Sequence, residues 1–220
     1  MTLSETIKQR EINEVLHFTT HKGIVGILAT RYLASRARLK DEQLLERILH
    51  VNAQDRPEAS ELFDKSENWL DFVNLSISEI NQHYFKVSKR WHIDKDVWWI
   101  ILSFESDIMN HEGVYFATTN NSYPFCRRGK GVEGFESLFQ TTIPRKHGWS
   151  APPRRDREKN LPTCQQAEVL YPQRISVDYL KKVYVSSEDN YDCVKGWLRQ
   201  FNLPHVEVEI NPSKFNGRPN

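Results

Sequence analysis

The chain has 220 residues, 39% hydrophobic and 27% charged, which suits one soluble domain with a substantial core and excludes a disordered polyelectrolyte. With 30 Lys and Arg against 29 Asp and Glu, the net charge of +1 excludes a generic polyanion binder. No run of ~18 apolar residues marks a membrane span, the first residues lack the apolar centre of a secretory signal, and the three scattered cysteines (Cys126, Cys164, Cys193) form no zinc pattern, so a cytoplasmic protein without a bound metal is expected.

Residues Glu14 to Phe18 alternate as a short strand. Thr19 or Thr20 can then cap a helix from His21 to about Tyr32, with Ile24, Ile27 and Leu28 at helical spacing. Gly23 and Gly26 each weaken that helix by roughly 1 kcal/mol relative to Ala, which asks for a packing or ligand reason. Asp41 to Val51 reads as a second amphipathic helix, and Asn52 to Asn68 as polar and either irregular or partly helical. Phe72 to Ile77 alternates as a strand. Val97 to Phe104 is apolar on both faces and is expected to be central in a sheet. Gly113 to Thr118 reads as another strand, and Asn120 to Thr163 as one long loop. Strands at Ala167 to Tyr171 and Lys182 to Ser186, a helix from Asp189 to Phe201 and a strand from His205 to Ile210 complete the set, with a frayed tail over 211–220. Helices come early and strands later, without the regular alternation of doubly wound folds, so the expected class is α+β, one domain over 1–220 with an antiparallel or mixed sheet. A loop as long as Asn120 to Thr163 inside a compact domain marks a lid or binding loop.

Charge is uneven. Between Cys126 and Asn160 stand nine Lys and Arg (Arg127, Arg128, Lys130, Arg145, Lys146, Arg154, Arg155, Arg157, Lys159) against Glu133, Glu136, Asp156 and Glu158, a local excess of +5 that leaves −4 on the remainder. Phe125, Phe139 and Trp149 are interleaved with these cations. Such a segment is either a solvated loop or a track for single-stranded nucleic acid, whose phosphates pair with cations and whose bases stack on rings. Just after it, Glu168 opens the apolar run of Gln165-Gln166-Ala167-Glu168-Val169-Leu170-Tyr171. Taken alone, that pattern fits a solvent-facing strand residue better than a catalytic carboxylate. Glycine-rich phosphate loops, His-Glu-x-x-His and Gly-x-Ser-x-Gly are absent, and Gly129-Lys130-Gly131 is too short to carry meaning.

What remains is an ordered set of short motifs: Leu16-His17-Phe18-Thr19, Asn52-Ala53-Gln54-Asp55-Arg56, Phe72-Val73-Asn74-Leu75-Ser76-Ile77-Ser78 with Asn81, Gly113-Val114-Tyr115-Phe116-Ala117-Thr118, and Gln166-Ala167-Glu168. Their order and spacing, from about Val15 to Val185, resemble the DarT family of DNA ADP-ribosyltransferases, usually the toxins of toxin–antitoxin pairs. The resemblance implies an ADP-ribosyltransferase fold: a split, mostly antiparallel sheet with flanking helices, gripping the co-substrate NAD in a cleft. It implies that His17 and Thr19 meet the nicotinamide end of NAD, that Gly23, Asn81 and Tyr84 add contacts, and that Arg56 and Glu168 are catalytic. Arg56 lies seventeen positions before Val73, a spacing similar to the family's, and Arg47 is its rival. Read singly, His17 also fits a core histidine, Thr19 a helix cap, and Asn81 and Tyr84 packing beneath the cleft.

The region of about 120–165 corresponds to the family's substrate-recognition loop. There Arg127, Arg128, Arg145, Arg154 and Arg155 are expected to hold the phosphates of single-stranded DNA, while Trp149 stacks a base. Many thymidine-modifying members read Tyr-Val-Pro-Phe-Tyr-Phe with a following Pro-Arg-Ser. This chain reads Phe72-Val73-Asn74-Leu75-Ser76-Ile77 and then Glu79-Ile80-Asn81, which looks more like the branch that modifies guanine. The implied partner is an antitoxin ADP-ribosyl hydrolase of macrodomain or NADAR type, and the implied state a monomer. The alternatives are ADP-ribosylation of RNA or protein, or a non-enzymatic single-strand-binding module. The implied chemistry asks for these residue types. Breaking the nicotinamide–ribose bond develops oxocarbenium character that a carboxylate stabilises, and a guanidinium can hold the diphosphate.

Overall fold

The first helix is fixed by a reciprocal cap. The Thr2 hydroxyl accepts from the Glu5 N–H and the Glu5 carboxylate accepts from the Thr2 N–H at 2.7 Å, closing α1 (Leu3–Gln9). The computed structural model describes residues 1–39, 69–93, 96–123, 125–146 and 148–216. The expected helix of Asp41 to Val51 and the polar stretch to Asn68 lie outside the described residues. After α1 come β1 (Glu14–Thr20), α2 (His21–Thr30), β2 (Tyr32–Ala34), α3 (Arg36–Leu39), β3 (Phe72–Ile77), α4 (Gln82–Trp91), β4 (Trp99–Glu105), β5 (Tyr115–Ala117), β6 (Arg128–Gly129) and α5 (Gly131–Ser137). Then follow β7 (Pro144–Lys146), β8 (Trp149–Ser150), β9 (Glu168–Pro172), β10 (Arg174–Ser176), β11 (Leu180–Val185), α6 (Glu188–Gln200) and β12 (Glu207–Ile210).

Eight strands form one sheet in the order β12-β11-β4-β1-β3-β9-β5-β6. All neighbours are antiparallel except β11 and β12, which run parallel around α6 as their crossover. The α+β expectation therefore holds. β4 lies between β11 and β1, and Ile100, Ile101, Leu102 and Phe104 are buried, as its two-sided apolar sequence requires. The sheet has a seam. β1 pairs with β4 along its full length, but with β3 only at Val15↔Ile77 and Leu16↔Ser76. Beyond Leu16 the two strands part, which splits the sheet and leaves the rest of β1 at the margin of a gap.

One large apolar cluster takes Val15 of β1, Val73, Leu75 and Ile77 of β3 and Val169 of β9, together with Ile24 and Leu28 of α2 and Val194 and Leu198 of α6. A second, with Leu16, Phe85, Ile101 and Tyr184, lies under α4.

The structure departs from the sequence expectations in several places. Asn120 to Thr163 is not one loop, for it holds β6, α5 and the β7–β8 hairpin. Two glycines masked that helix, and Gly134 is required there: a Cβ on it would lie 2.3 Å from the Gly129 carbonyl carbon, so β6 and α5 touch backbone to backbone. The tail is anchored rather than frayed over its described residues, 211–216. Its Asn211 N–H donates to the Val185 carbonyl at 2.9 Å, a 3₁₀ turn follows at Pro212–Phe215, and the Lys214 ammonium pairs with Glu14. Finally, Gln82–Trp91 is a helix that its polar composition hid, capped by the Asn81 side chain.

Candidate functional site

Glu168 is the first residue of β9, and Ala117 of β5 faces it across the ladder. Strand alternation puts Glu168, Leu170 and, on β3, Asn74 on one face of the sheet. The carboxyl is only 7% exposed, so it is not the solvent-facing strand residue that its local sequence favoured. Its Oε2 accepts two hydrogen bonds, from the Asn74 side-chain amide at 3.0 Å and from the Asn121 main-chain N–H at 2.8 Å. Oε1 takes none from any described residue. Burial pushes the carboxyl up to about 7, against the pull of these two donors and of the Arg128 charge. The site therefore holds a carboxyl balanced between acid and base near neutral pH.

The neighbouring Cys126 thiol is pushed up to about 11 by burial and stays neutral. Arg128 of β6 clamps the Asn121 turn through that residue's side-chain and main-chain oxygens, and its guanidinium lies 4.7 Å over the Trp69 ring. It thus holds in place the N–H that addresses Glu168. Arg128, expected at DNA phosphates, is engaged here with Asn121 and Trp69. Asn74 and Asn121 were not anticipated as site residues. Asn74 stood inside a motif already singled out, on the face opposite Val73 and Leu75, but nothing in the motif told what that face would meet.

His17 reaches the same centre from β1. Its Nδ1 donates to the Asn74 main-chain carbonyl at 3.0 Å, just past the point where β1 and β3 part. A carbonyl can only accept, so Nδ1 carries the proton and Nε2 is left as an acceptor. Burial holds the His17 ring below its ordinary value, which favours this neutral form. Among the described residues, Asn74 is the one bonded to both His17 and Glu168. Thr19 is half-buried two positions on, on the same side of β1 as His17 and opposite Ile100. The helix cap is Thr20, whose hydroxyl accepts from the Gly23 N–H at 3.3 Å. Gly23 and Gly26 are both buried in α2.

Asn81 is 4% exposed; its Oδ1 accepts from the Tyr84 N–H and its own N–H donates to Ser76, while its Nδ2 has no partner among the described residues. The Tyr84 ring packs 5.8 Å from Phe18 of β1. Gln166, two residues before Glu168, buries an Oε1 likewise without a partner. Arg56 and its rival Arg47 lie outside the described residues.

The basic segment separates into two groups. Arg127 and Arg155 are exposed, the latter on left-handed backbone at φ 42°. Arg154 instead donates to the Leu161 and Glu158 carbonyls at 2.8 Å and stacks on Phe139, fastening its own loop. Arg157 forms a buried ion pair with Glu79, tying the loop to the chain just before α4. Arg145 donates to the Cys164 sulfur at 3.2 Å, and Trp149 pairs with Lys146 across the β7–β8 hairpin.

The fold, with its split sheet, matches known structures. Thermus sp. 2.9 DarT in complex with carba-NAD+ superposes with a TM-score of 0.62 at 14% identity, over 93% of this chain and 98% of that one. The same protein in complex with ADP-ribosylated ssDNA gives 0.58 at 14% identity, over 93% and 97%. Thermosipho africanus DarTG in complex with ADP-ribose gives 0.59 at 14% identity over 92% of this chain, which spans 51% of that one. The fold is thus that of an ADP-ribosyltransferase. A family model described as "ssDNA thymidine ADP-ribosyltransferase, DarT" matches residues 16–216, and the chain belongs to the DarT family. No curated protein sequence matches.

Proposed function

We propose that this protein transfers ADP-ribose from NAD+ to a base of single-stranded DNA, with guanine as that base, and that it is the toxin of a toxin–antitoxin pair. The observation that carries the reading is Glu168: a buried carboxyl, oriented through one oxygen by Asn74 and Asn121, with the other oxygen open. Family membership supports the transfer chemistry, and the departure at Phe72 to Ile77 from the thymidine-type motif supports guanine.

In this reading the bond from ribose C1′ to the nicotinamide nitrogen breaks, and its electron pair leaves on neutral nicotinamide. The Glu168 carboxylate stabilises the oxocarbenium character at C1′ and fixes the sugar. A base nitrogen forms the new bond to C1′, and its proton passes to Glu168 and on to solvent. His17 and Thr19 meet the nicotinamide end, where neutral His17 offers Nε2 as an acceptor. Gly23, Asn81 and Tyr84 line the NAD side, and Arg56 holds the diphosphate. The exposed Arg127 and Arg155 meet DNA phosphates, which a single strand presents with its bases already unstacked. The antitoxin would be an ADP-ribosyl hydrolase of macrodomain or NADAR type.

The test is incubation with labelled NAD+ and single-stranded oligonucleotides that each contain one guanine or one thymine. The reading expects label on the guanine oligonucleotide. Label on the protein itself, on RNA alone or on nothing contradicts it.

A further inference from the structure

We propose that Asn74 is a specificity-determining residue for the target base, acting beside Glu168 as half of a two-acceptor edge. The inference rests on the reading of Glu168 as the carboxylate that meets that base. Asn74 is exposed whereas Glu168 is 7% exposed, so Asn74 stands on the solvent side of the carboxyl that a base must reach. Its main-chain carbonyl is committed to His17 and its amide N–H to Glu168 Oε2. Its side-chain oxygen takes no hydrogen bond from any described residue, and neither does Glu168 Oε1. The single bond between the two side chains therefore leaves one acceptor on each.

Two neighbouring acceptors select for two neighbouring donors, because an acceptor facing another acceptor in a partly buried site leaves both unsatisfied. Guanine offers its N1–H and 2-amino group side by side on the Watson–Crick edge, where a base in an enzyme pocket is read. Thymine offers one N3–H between two carbonyl oxygens. A pose that gives that proton to Glu168 turns a thymine carbonyl toward the Asn74 oxygen. Hypoxanthine keeps N1–H but lacks the 2-amino group, so it isolates the second donor.

The experiment measures binding, so it does not depend on which nitrogen reacts. Fluorescent single-stranded oligonucleotides with guanine, hypoxanthine or thymine at one position are titrated by anisotropy against the full chain in the presence of carba-NAD+, which is not cleaved. The wild type is expected to favour guanine by about tenfold over each of the other two, the scale of discrimination from one paired base edge. Asn74→Ala is expected to bring guanine and hypoxanthine within about threefold of each other. Asn74→Gln, which keeps both the amide donor to Glu168 and the acceptor, is expected to retain the preference and guards against a variant that merely fails to fold. An Asn74→Ala variant that weakens all three oligonucleotides by one common factor would overturn the proposal, as would a wild type that favours thymine. A wild type that discriminates in this assay but labels no DNA with NAD+ would contradict the transferase reading and leave the role of Asn74 standing.

Discussion

The Asn74 amide donates to Glu168 Oε2 at 3.0 Å, joining β3 to β9 across ninety-four residues of sequence. The same residue accepts the His17 ring proton on its carbonyl. Two residues that the motif order paired as parts of one cleft are thus physically connected, through a third that lay inside a motif but was given no role of its own.

The first prediction is a pH dependence. Glu168 is pushed up to about 7, and the carboxylate is the form that stabilises developing positive charge. kcat/KM should rise with pH through about 7. Asn74→Ala removes a donor to the charged form, and Arg128→Ala removes both a charge and the clamp on Asn121. Each should move the midpoint upward by roughly one unit, read from pH–rate profiles. A midpoint unmoved by both variants would separate them from Glu168.

A second prediction concerns stability. The folded carboxyl binds its proton more tightly than the unfolded one, whose ordinary value is 4.5. Its stabilising contribution is therefore complete below about 4.5 and is lost as pH rises through about 7. The loss across that window is on the order of 3 kcal/mol. Glu168→Gln, which cannot ionise, should melt roughly 5–10 °C above the wild type at pH 8 and close to it at pH 4, by calorimetry. It should also abolish transfer.

Much of the fold was legible beforehand. Phe72 to Ile77 alternates cleanly and is β3 from first residue to last, and the two-sided apolar Val97 to Phe104 marked a central strand. The first helix was missed although Thr2 and Glu5 carry the capping-box spacing. The site was only partly legible. A carboxylate opening a strand looks like any surface residue until its burial is known, and its partners here, Asn74 and Asn121, are distant in sequence. Charge counting failed differently. It scored Arg127 and Arg154 alike, whereas one side chain is exposed and the other is fastened to carbonyls.

That distinction gives a third prediction. Arg127→Ala and Arg155→Ala should weaken single-stranded DNA binding and reduce the salt slope by about 1 each, without moving the melting temperature. Arg154→Ala should lower the melting temperature instead, because it strands carbonyls of the loop. Binding titrations at several salt concentrations, beside thermal melts, separate the two groups.

A fourth prediction follows from the ion pair that links the loop to the chain before α4. The side chains of Arg157 and Glu79 are 7% and 10% exposed. Arg157→Met should cost ~3–5 kcal/mol, because it takes the Arg157 charge away from a buried carboxylate. The double variant Arg157→Met with Glu79→Gln should recover a large part of that loss. Chemical denaturation of the three proteins measures it.

The central claim is that Glu168 drives ADP-ribose transfer to a DNA base. Mass spectrometry of a single-stranded oligonucleotide incubated with NAD+ and the protein tests it most directly. The wild type should add one ADP-ribose to a guanine, and Glu168→Ala should add none while NAD+ still raises its melting temperature. An oligonucleotide left unmodified by the wild type, or modified equally by the Glu168→Ala protein, would contradict the account.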